Sequence, residues 1–205
     1  AGFLFGPNTT VSVAGMVSFT SADYLRLADS ARFNTIPNTA ADALLSTASV
    51  DAFGFLSLAP GITRGAISVQ GSALSVPNGQ SITFVGGDVI IGNGAGATQA
   101  ANLSAPNGQI RLASANSVGE FMYENLQAIA NRDGQVFSTY GVITLAPGSL
   151  IDVSHGNAGT VSIRGGEFVL NVTDSILTTS AVTPVVPTED SISLAGSSLI
   201  RSSTT

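Results

Sequence analysis

The chain has 205 residues, of which 44% are hydrophobic and only 10% are charged, and its formal net charge is −6. All seven basic residues are arginines, and an acidic chain without a basic run is not expected to bind nucleic-acid phosphates or an anionic membrane. The chain contains no cysteine, which excludes disulfides and thiolate metal sites, so packing and backbone hydrogen bonds must supply its stability. No shift in composition marks a linker, and we expect one domain over residues 1–205.

The first part of the chain, residues 1–60, predicts short strands that form an N-terminal cap and the first coils. Phe3-Leu4-Phe5 is strand-like, and the turn residues Gly6-Pro7-Asn8 end it. Residues 21–27 fit either one helical turn or a strand, and residues 38–46 fit either a short helix or a strand.

Residues 62–118 have a regular rhythm of short apolar runs and tight corners, which predicts regular coils. The stretch from Leu74 to Ile82, LSVPNGQSI, returns 29 residues later as LSAPNGQI, from Leu103 to Ile110. Recurrence of one corner motif is typical of stacked coils, in which each coil reuses the same turn. Residues 145–148 are interpreted as a weaker third copy.

The second half of the chain continues this pattern after one interruption. Residues 119–140 break the rhythm, and Met122, Leu126 and Ile129 fit helical spacing, so an insertion or a short helix is expected there. Residues 141–205 predict further coils and a C-terminal tail. Strand-like runs in residues 142–177 are separated by turns too short for a helix, which excludes a βαβ sheet and leaves a solenoid or a sandwich.

Two motifs have functional interpretations that their surroundings do not favour. Residues 92–97, GNGAGA, follow a strand-like run and fit a phosphate-binding fingerprint, but no acidic residue follows at the required distance of about 20 positions. A glycine-rich corner is the preferred interpretation. His155 is the only histidine and can supply at most one zinc ligand, so it is interpreted as a polar corner residue.

A polysaccharide-active enzyme of the pectin-lyase type is the main catalytic alternative. Such enzymes need clustered carboxylates, and Asp152, Glu167 and Asp174, with Arg164 nearby, are the candidates. These acids are isolated from one another along the chain. A calcium site of the repeat type is not expected either, because its motif, here Gly86-Gly87-Asp88, occurs only once and does not repeat. We therefore expect no enzyme, and no catalytic, cofactor-binding or metal-binding residue.

The chain resembles the haemagglutination-activity domain of two-partner-secretion exoproteins of the filamentous-haemagglutinin family. The resemblance covers roughly residues 2–180. It rests on GFLFGPN (residues 2–8), VSV (11–13), SFTSADY (18–24), AFGFL (52–56), VGGDV (85–89), GQIRLAS (108–114) and IRGG (163–166).

The resemblance implies a right-handed parallel β-helix with one or two extra-helical elements. It also implies a secreted adhesin or structural exoprotein at the bacterial surface, exported through a partner outer-membrane β-barrel transporter. Its expected partners are that transporter and a host or surface glycan or protein, and its ends are expected to allow self-association, with a filament subunit as a further alternative.

Phe3, Phe5, Gly6, Pro7 and Asn8 are the residues expected to form the N-terminal cap and to be recognised by the transporter. The family's Asn-Pro-Asn-Gly signature would lie at or before Ala1. The chain is therefore expected to be a fragment that lacks its extreme N-terminus.

Overall fold

The protein is all-β in the part of the chain that the structure describes. The structure is a computed structural model that describes residues 2–37, 46–99, 101–146, 149–155, 159–171, 176–178, 181–182, 191–195 and 199–201. Every regular element in these ranges is a strand, and they contain no helix that could cross a membrane.

The described strands are short, mostly three to six residues, and tight turns or longer loops separate them. In chain order they are β1 (Phe3–Phe5), β2 (Thr10–Ser12), β3 (Val17–Thr20), β4 (Tyr24–Leu27), β5 (Arg32–Asn34), β6 (Val50–Phe55), β7 (Ile67–Gln70), β8 (Ala73–Ser75), β9 (Ser81–Gly86), β10 (Val89–Gly92), β11 (Ala101–Ser104), β12 (Gln109–Ser114), β13 (Gly119–Met122), β14 (Ala128–Ile129), β15 (Val142–Leu145), β16 (Ser149–Asp152), β17 (Thr160–Arg164), β18 (Glu167–Asn171), β19 (Ile176–Thr178), β20 (Ala181–Val182), β21 (Ser191–Ala195) and β22 (Leu199–Arg201).

Three parallel sheets share most of these strands. The first sheet has the order β1-β7-β10-β15-β18-β21, the second β2-β8-β11-β16-β19-β22, and the third β3-β9-β12-β17-β20. Three consecutive strands, such as β7, β8 and β9, therefore enter three different sheets, and the next strand, β10, returns to the first. Each circuit of the chain is hydrogen-bonded in parallel to the circuit before it.

Apolar side chains of successive circuits stack on one another inside the three sheets. In the second sheet Leu74 pairs with Leu103, which pairs with Ile151, and all three are at most 2% exposed. In the third sheet Phe19 pairs with Phe84, and their rings stack at 5.6 Å. Burying an aliphatic or aromatic side chain of this size contributes about 1.5–3 kcal/mol. The period-2 alternation of the strands places one such residue inside at every second position.

The 29-residue repeat predicted from the sequence is confirmed by the strand register. Leu74 and Leu103 are cross-strand partners, and in the following corner Asn107 Nδ2 donates a hydrogen bond of 2.6 Å to Asn78 Oδ1. The third copy at residues 145–148 is wrong. Leu145 lies in the first sheet and pairs with Ile91, whereas the residue that continues the Leu74–Leu103 column is Ile151.

Two stretches of the chain leave the parallel sheets and form a fourth, antiparallel sheet. Its order is β14-β13-β6-β4-β5, so it combines strands from residues 24–55 with strands from residues 119–129. Residues 21–27 thus contain a strand rather than a helical turn. Except for Ser46, the segment 38–46 lies outside the described residues.

The expectation of a short helix in residues 119–140 is wrong, and the insertion alternative describes this stretch better. β13 pairs antiparallel with β6 and with β14. Between them Leu126 has φ of 56°, a left-handed backbone conformation that a right-handed helix does not allow. The apolar spacing that suggested a helix instead points Leu126 into a second core.

This second core joins the antiparallel sheet to the parallel sheets. It contains Phe53, Phe55, Phe121 and Phe137 from the insertions, together with Val85 and Ala113 from the third parallel sheet. Arg111 of β12 reinforces the junction. Its Nε donates to Thr83 Oγ1 at 3.0 Å, and its Nη1 donates to the carbonyl oxygens of Tyr123 and Glu124 at 2.9 and 2.6 Å.

Candidate functional site

The first strands of the three parallel sheets form one end of the molecule, which we call the N-terminal edge (β1, β2 and β3). Each of these strands pairs with a single neighbour, namely β7, β8 and β9. Within the described residues their outer backbone groups face no further strand. Such an edge can accept an additional strand.

An aromatic cluster lies directly behind the N-terminal edge. The Phe5 ring lies 4.8 Å from that of Phe19 and 6.1 Å from that of Phe84, and the Phe3 ring lies 5.9 Å from that of Phe19. Phe3 is nevertheless 41% exposed, and Leu4, which points to the other side of the strand, is 67% exposed. The edge therefore presents apolar surface to solvent on both sides of β1.

The turn after β1 is held by hydrogen bonds to residues of the two circuits that follow it. Ser72 Oγ donates to the Gly6 carbonyl oxygen at 2.6 Å, and the Asn8 amide donates to the Gly71 carbonyl oxygen at 2.9 Å. Asn8 Oδ1 accepts from both the amide and the hydroxyl of Thr98, at 3.0 and 2.7 Å. Asn8 has φ of 62°, a conformation that asparagine tolerates better than most residues.

The five residues singled out in the sequence thus lie together in β1 and its turn at the N-terminal edge. The glycine among them, Gly6, is not required by the surrounding backbone. A Cβ atom added at Gly6 would meet nothing within 4 Å, and Gly6 has no positive φ. A Cβ atom at Gly2, one residue before the strand, would lie 2.1 Å from the Ala66 carbonyl oxygen. The steric requirement for glycine therefore falls on Gly2 and not on Gly6.

A cavity of about 530 Å³ lies between the N-terminal edge and the antiparallel sheet. It is lined by Gly2, Phe3, Thr20, Ser21, Ala22, Asp23, Asn34, Thr35, Ile36 and Leu56. In its lining the Asp23 carboxylate accepts from the Leu56 amide at 2.7 Å and forms an ion pair of 3.2 Å with Arg64. Burial lowers the pKa of Arg64, and the carboxylate of Asp23 opposes that effect. The ion pair fixes the loop after β6 against the first circuit.

The antiparallel sheet contains a buried polar cluster that the sequence did not reveal. Tyr24 of β4 and Glu120 of β13 lie on either side of Gly54 of β6, which is the cross-strand partner of both. The Tyr24 hydroxyl donates to Glu120 Oε1 at 2.7 Å, and both residues are 1% exposed. Arg26 forms ion pairs of 2.8 Å with Glu120 and with Asp51.

Burial and the adjacent carboxylate act together on the tyrosine of this cluster. Burial raises the pKa of Tyr24, and the hydrogen bond and charge of Glu120 raise it further. The guanidinium groups of Arg32 and Arg26 oppose this effect. Tyr24 therefore remains a neutral hydrogen-bond donor well into the alkaline range. The only sequence signal for the cluster was the alternation Tyr24-Leu25-Arg26-Leu27, which places Tyr24 and Arg26 on one face of a strand.

The residues considered for catalysis are not brought together. Asp152 is in β16 of the second sheet and Glu167 in β18 of the first, while Arg164 of β17 is 8% exposed in the third. Asp174 lies outside the described residues. The Asp152 carboxylate accepts a hydrogen bond of 2.8 Å from the Ser154 amide, so it stabilises the local turn. Because Asp152 and Glu167 lie in different sheets, the structure does not support a catalytic pair of carboxylates formed by these two residues.

The other two motifs lie in exposed corners. His155 is exposed in the turn after β16. Residues 92–97 lead into a turn with Gly96 at φ of 79°, and the next element is the strand β11 rather than a helix, so the phosphate-binding interpretation is wrong. In the part of the chain that the structure describes, no three His, Cys, Asp or Glu side chains form a group that could hold a metal ion.

Comparison of the chain with protein-family models, with curated proteins and with solved structures finds no match.

Proposed function

We propose that the chain is a right-handed parallel β-helix from a secreted exoprotein of a two-partner secretion system. The supporting observation is the order of the strands, because consecutive strands enter three parallel sheets in turn and each circuit pairs with the one before it. The two stretches that form the antiparallel sheet are its extra-helical elements. The resemblance to the haemagglutination-activity domain of the filamentous-haemagglutinin family points to the same architecture.

In this proposal the N-terminal edge is recognised by the outer-membrane β-barrel transporter. An extended edge strand with exposed Phe3 and Leu4 suits recognition by strand addition, in which backbone hydrogen bonds give affinity and side chains give specificity. The folded rod then serves adhesion to a glycan or protein surface, or extracellular fibre assembly. Its role is structural and binding rather than catalytic.

Secretion tests this proposal, and the chain offers a matched control in its own repeated corner. The chain is expressed behind a signal peptide in a Gram-negative host, with and without a two-partner transporter, and protein in the medium is quantified. P7A/N8A alters the turn at the N-terminal edge, whereas P77A/N78A alters the same dipeptide in a later corner. We expect transporter-dependent release that falls at least fivefold for P7A/N8A and stays within twofold for P77A/N78A.

Two results would count against the proposal. Release that does not depend on the transporter would overturn the secretion function. Equal losses for both double variants would show that Pro7 and Asn8 do not belong to the recognition element.

A filament subunit is a second candidate, favoured by the same exposed edge. Strands β1–β3 have free outer sides among the described residues, and Leu4 is 67% exposed there. End-to-end association would pair these strands with another copy of the chain. Sedimentation velocity should then show concentration-dependent assembly that L4K abolishes, whereas a single monomeric species at all concentrations would reject this candidate.

A further inference from the structure

Three of the seven arginines of this acidic chain line a single pocket on the antiparallel sheet. The pocket has a volume of about 300 Å³, and Arg26, Arg32 and Arg132 contribute its positive charge. Glu120 is the only acidic residue in its lining, and Ser30 and Asn131 add polar groups. The residues that line the pocket therefore carry three positive charges and one negative charge, in a protein whose formal net charge is −6.

Two carboxylates next to the pocket, those of Glu120 and Asp51, both pair with one of its three arginines, Arg26. Glu120 accepts from the Tyr24 hydroxyl and pairs with Arg26, and Asp51 pairs with Arg26 at 2.8 Å. Asp29, beside Ser30, accepts from the Ser46 hydroxyl and the Ala31 amide. Arg32 and Arg132 have no carboxylate partner among the described residues.

Two of the arginines are held side by side although they carry like charge. Arg26 and Arg32 are direct cross-strand partners in β4 and β5. Like charges in this position repel one another. The Arg32 guanidinium lies 4.1 Å from the centre of the Tyr24 ring, and its buried Nη2 has no hydrogen-bond partner in the described part of the chain. A buried donor without a partner is unfavourable, so the hydrogen-bonding capacity of the Arg32 guanidinium is not fully used within the described part of the chain.

The third arginine, Arg132, lies in a hydrogen-bonded turn. Asn131 is 6% exposed, and its Oδ1 accepts from the amides of Asp133 and Gln135 at 3.0 and 2.9 Å. Gly134 completes this turn with φ of 75°. Arg132 is therefore an exposed lining residue in a hydrogen-bonded turn, whereas Arg26 and Arg32 are partly buried lining residues of two strands.

We propose that this pocket is a binding site for an oxyanion group, the carboxylate or sulfate of an acidic sugar. Guanidinium groups bind such planar or tetrahedral oxyanions through paired hydrogen bonds. A volume of about 300 Å³ is at the lower end for ligand pockets and suits one sugar unit. Ser30 also lines the pocket and could bind a sugar hydroxyl. This site does not depend on the proposed secretion function.

The test is a titration of the full 205-residue chain at low ionic strength. Two-dimensional ¹H–¹⁵N NMR spectra, recorded at each ligand concentration, monitor binding. Sodium glucuronate supplies a carboxylate on a sugar, sodium sulfate supplies the inorganic oxyanion, and glucose is the neutral control. Variants R32Q and R132Q remove one pocket charge each. R201Q makes the same change in net charge in β22, which belongs to the second parallel sheet.

We expect saturable shifts of the Arg26, Arg32 and Arg132 signals with glucuronate, with sulfate or with both, and none with glucose. Saturation by glucuronate or by sulfate alone assigns the site to carboxylates or to sulfates. R32Q and R132Q should each weaken binding at least fivefold, whereas R201Q should stay within twofold. Because Arg132 is exposed, R132Q remains informative if R32Q does not fold.

Two outcomes would overturn the site. The first is the absence of saturable shifts with both anions. The second is an equal loss of affinity in R132Q and R201Q, which would show attraction to overall charge rather than binding in this pocket.

Discussion

Gly54 sets the geometry of the buried polar cluster in the antiparallel sheet. A Cβ atom at this position would lie 2.0 Å from Cζ of Tyr24, so the bare backbone leaves the space through which the Tyr24 side chain reaches Glu120. This close approach gives a steric reason for a glycine in the middle of a strand, where glycine is otherwise unfavourable.

We predict that G54A destabilises the fold by about 3 kcal/mol or more, because the Tyr24 ring must move and the bond to Glu120 is lost. Urea unfolding followed by circular dichroism measures the change. G15A is the matched control, since a Cβ atom there would meet nothing within 4 Å, and it should stay within about 0.5 kcal/mol. Equal stability of G54A and the parent chain would contradict the assignment.

Tyr24 also makes stability depend on pH in the alkaline range. Burial and Glu120 raise the pKa of Tyr24 in the folded state, whereas a tyrosine in the unfolded chain ionises near pH 10. The folded state thus retains a proton that the unfolded state has lost. The contribution of Tyr24 to the free energy of unfolding is fully present below about pH 10. Above that pH it falls by up to about 1.4 kcal/mol per pH unit.

The measurement compares the free energy of unfolding at pH 8 and pH 11 for the parent chain and Y24F. Y24F should be less stable at pH 8, because it lacks the bond to Glu120, but should lose less stability on going to pH 11. Parallel losses in the two proteins would show that Tyr24 does not carry this pH dependence.

At the scale of a single element, the side chains of β1 alternate between a face that packs inward and a face that is exposed to solvent. Phe5 packs on Phe19 and Phe84, whereas Leu4 is 67% exposed. We predict that F5D destabilises this end of the molecule by about 3 kcal/mol, since it removes an aromatic contact and brings an unpaired charge to an apolar cluster. In a chain of this size such a loss lowers the midpoint of thermal unfolding by about 6–12 °C.

L4D is the control for F5D, because it places the same charge one residue away on the other face. It should shift the midpoint by no more than about 2 °C. Unchanged thermal stability of F5D, or equal losses in F5D and L4D, would refute the inner position of Phe5.

The elements with local signals were predictable from the sequence. Alternating apolar residues predicted the strands of the parallel sheets, and the repeated Pro-Asn-Gly corner predicted the pairing of Leu74 with Leu103. The proposed third copy, Leu-Ala-Pro-Gly, lacks the asparagine of the true corner, where Asn107 donates a hydrogen bond to Asn78. A corner motif alone does not say to which sheet the preceding strand belongs.

The antiparallel sheet could not be predicted in this way. Phe53 and Phe121 are partners across 68 positions, and nothing local to either strand indicates the other. The polar cluster and the arginine pocket depend on this long-range pairing, since Arg26 and Glu120 meet only after β4, β6 and β13 have come together. The helical spacing around Leu126 wrongly predicted a helix, because Leu126 lies in a turn between two strands, where its φ is positive.

At the scale of the whole molecule, the proposed β-helix requires that each circuit lies in fixed parallel register on the one before. The chain has no cysteine, so pairs of introduced cysteines report this register without background. Ser75 and Ser104 are cross-strand partners in adjacent circuits, and their partly exposed side chains point the same way. Adjacent strands lie about 4.8 Å apart, which is within the Cα separation that a disulfide requires.

The most direct measurement is therefore the rate of air oxidation of S75C/S104C beside that of S75C/N102C, in which the second cysteine lies two residues out of register on the same face. Non-reducing electrophoresis resolves the cross-linked chains, and dilution excludes cross-links between molecules. We predict complete oxidation of S75C/S104C, with S75C/N102C at least tenfold slower. Faster oxidation of S75C/N102C, or no oxidation of S75C/S104C, would contradict the wound parallel arrangement.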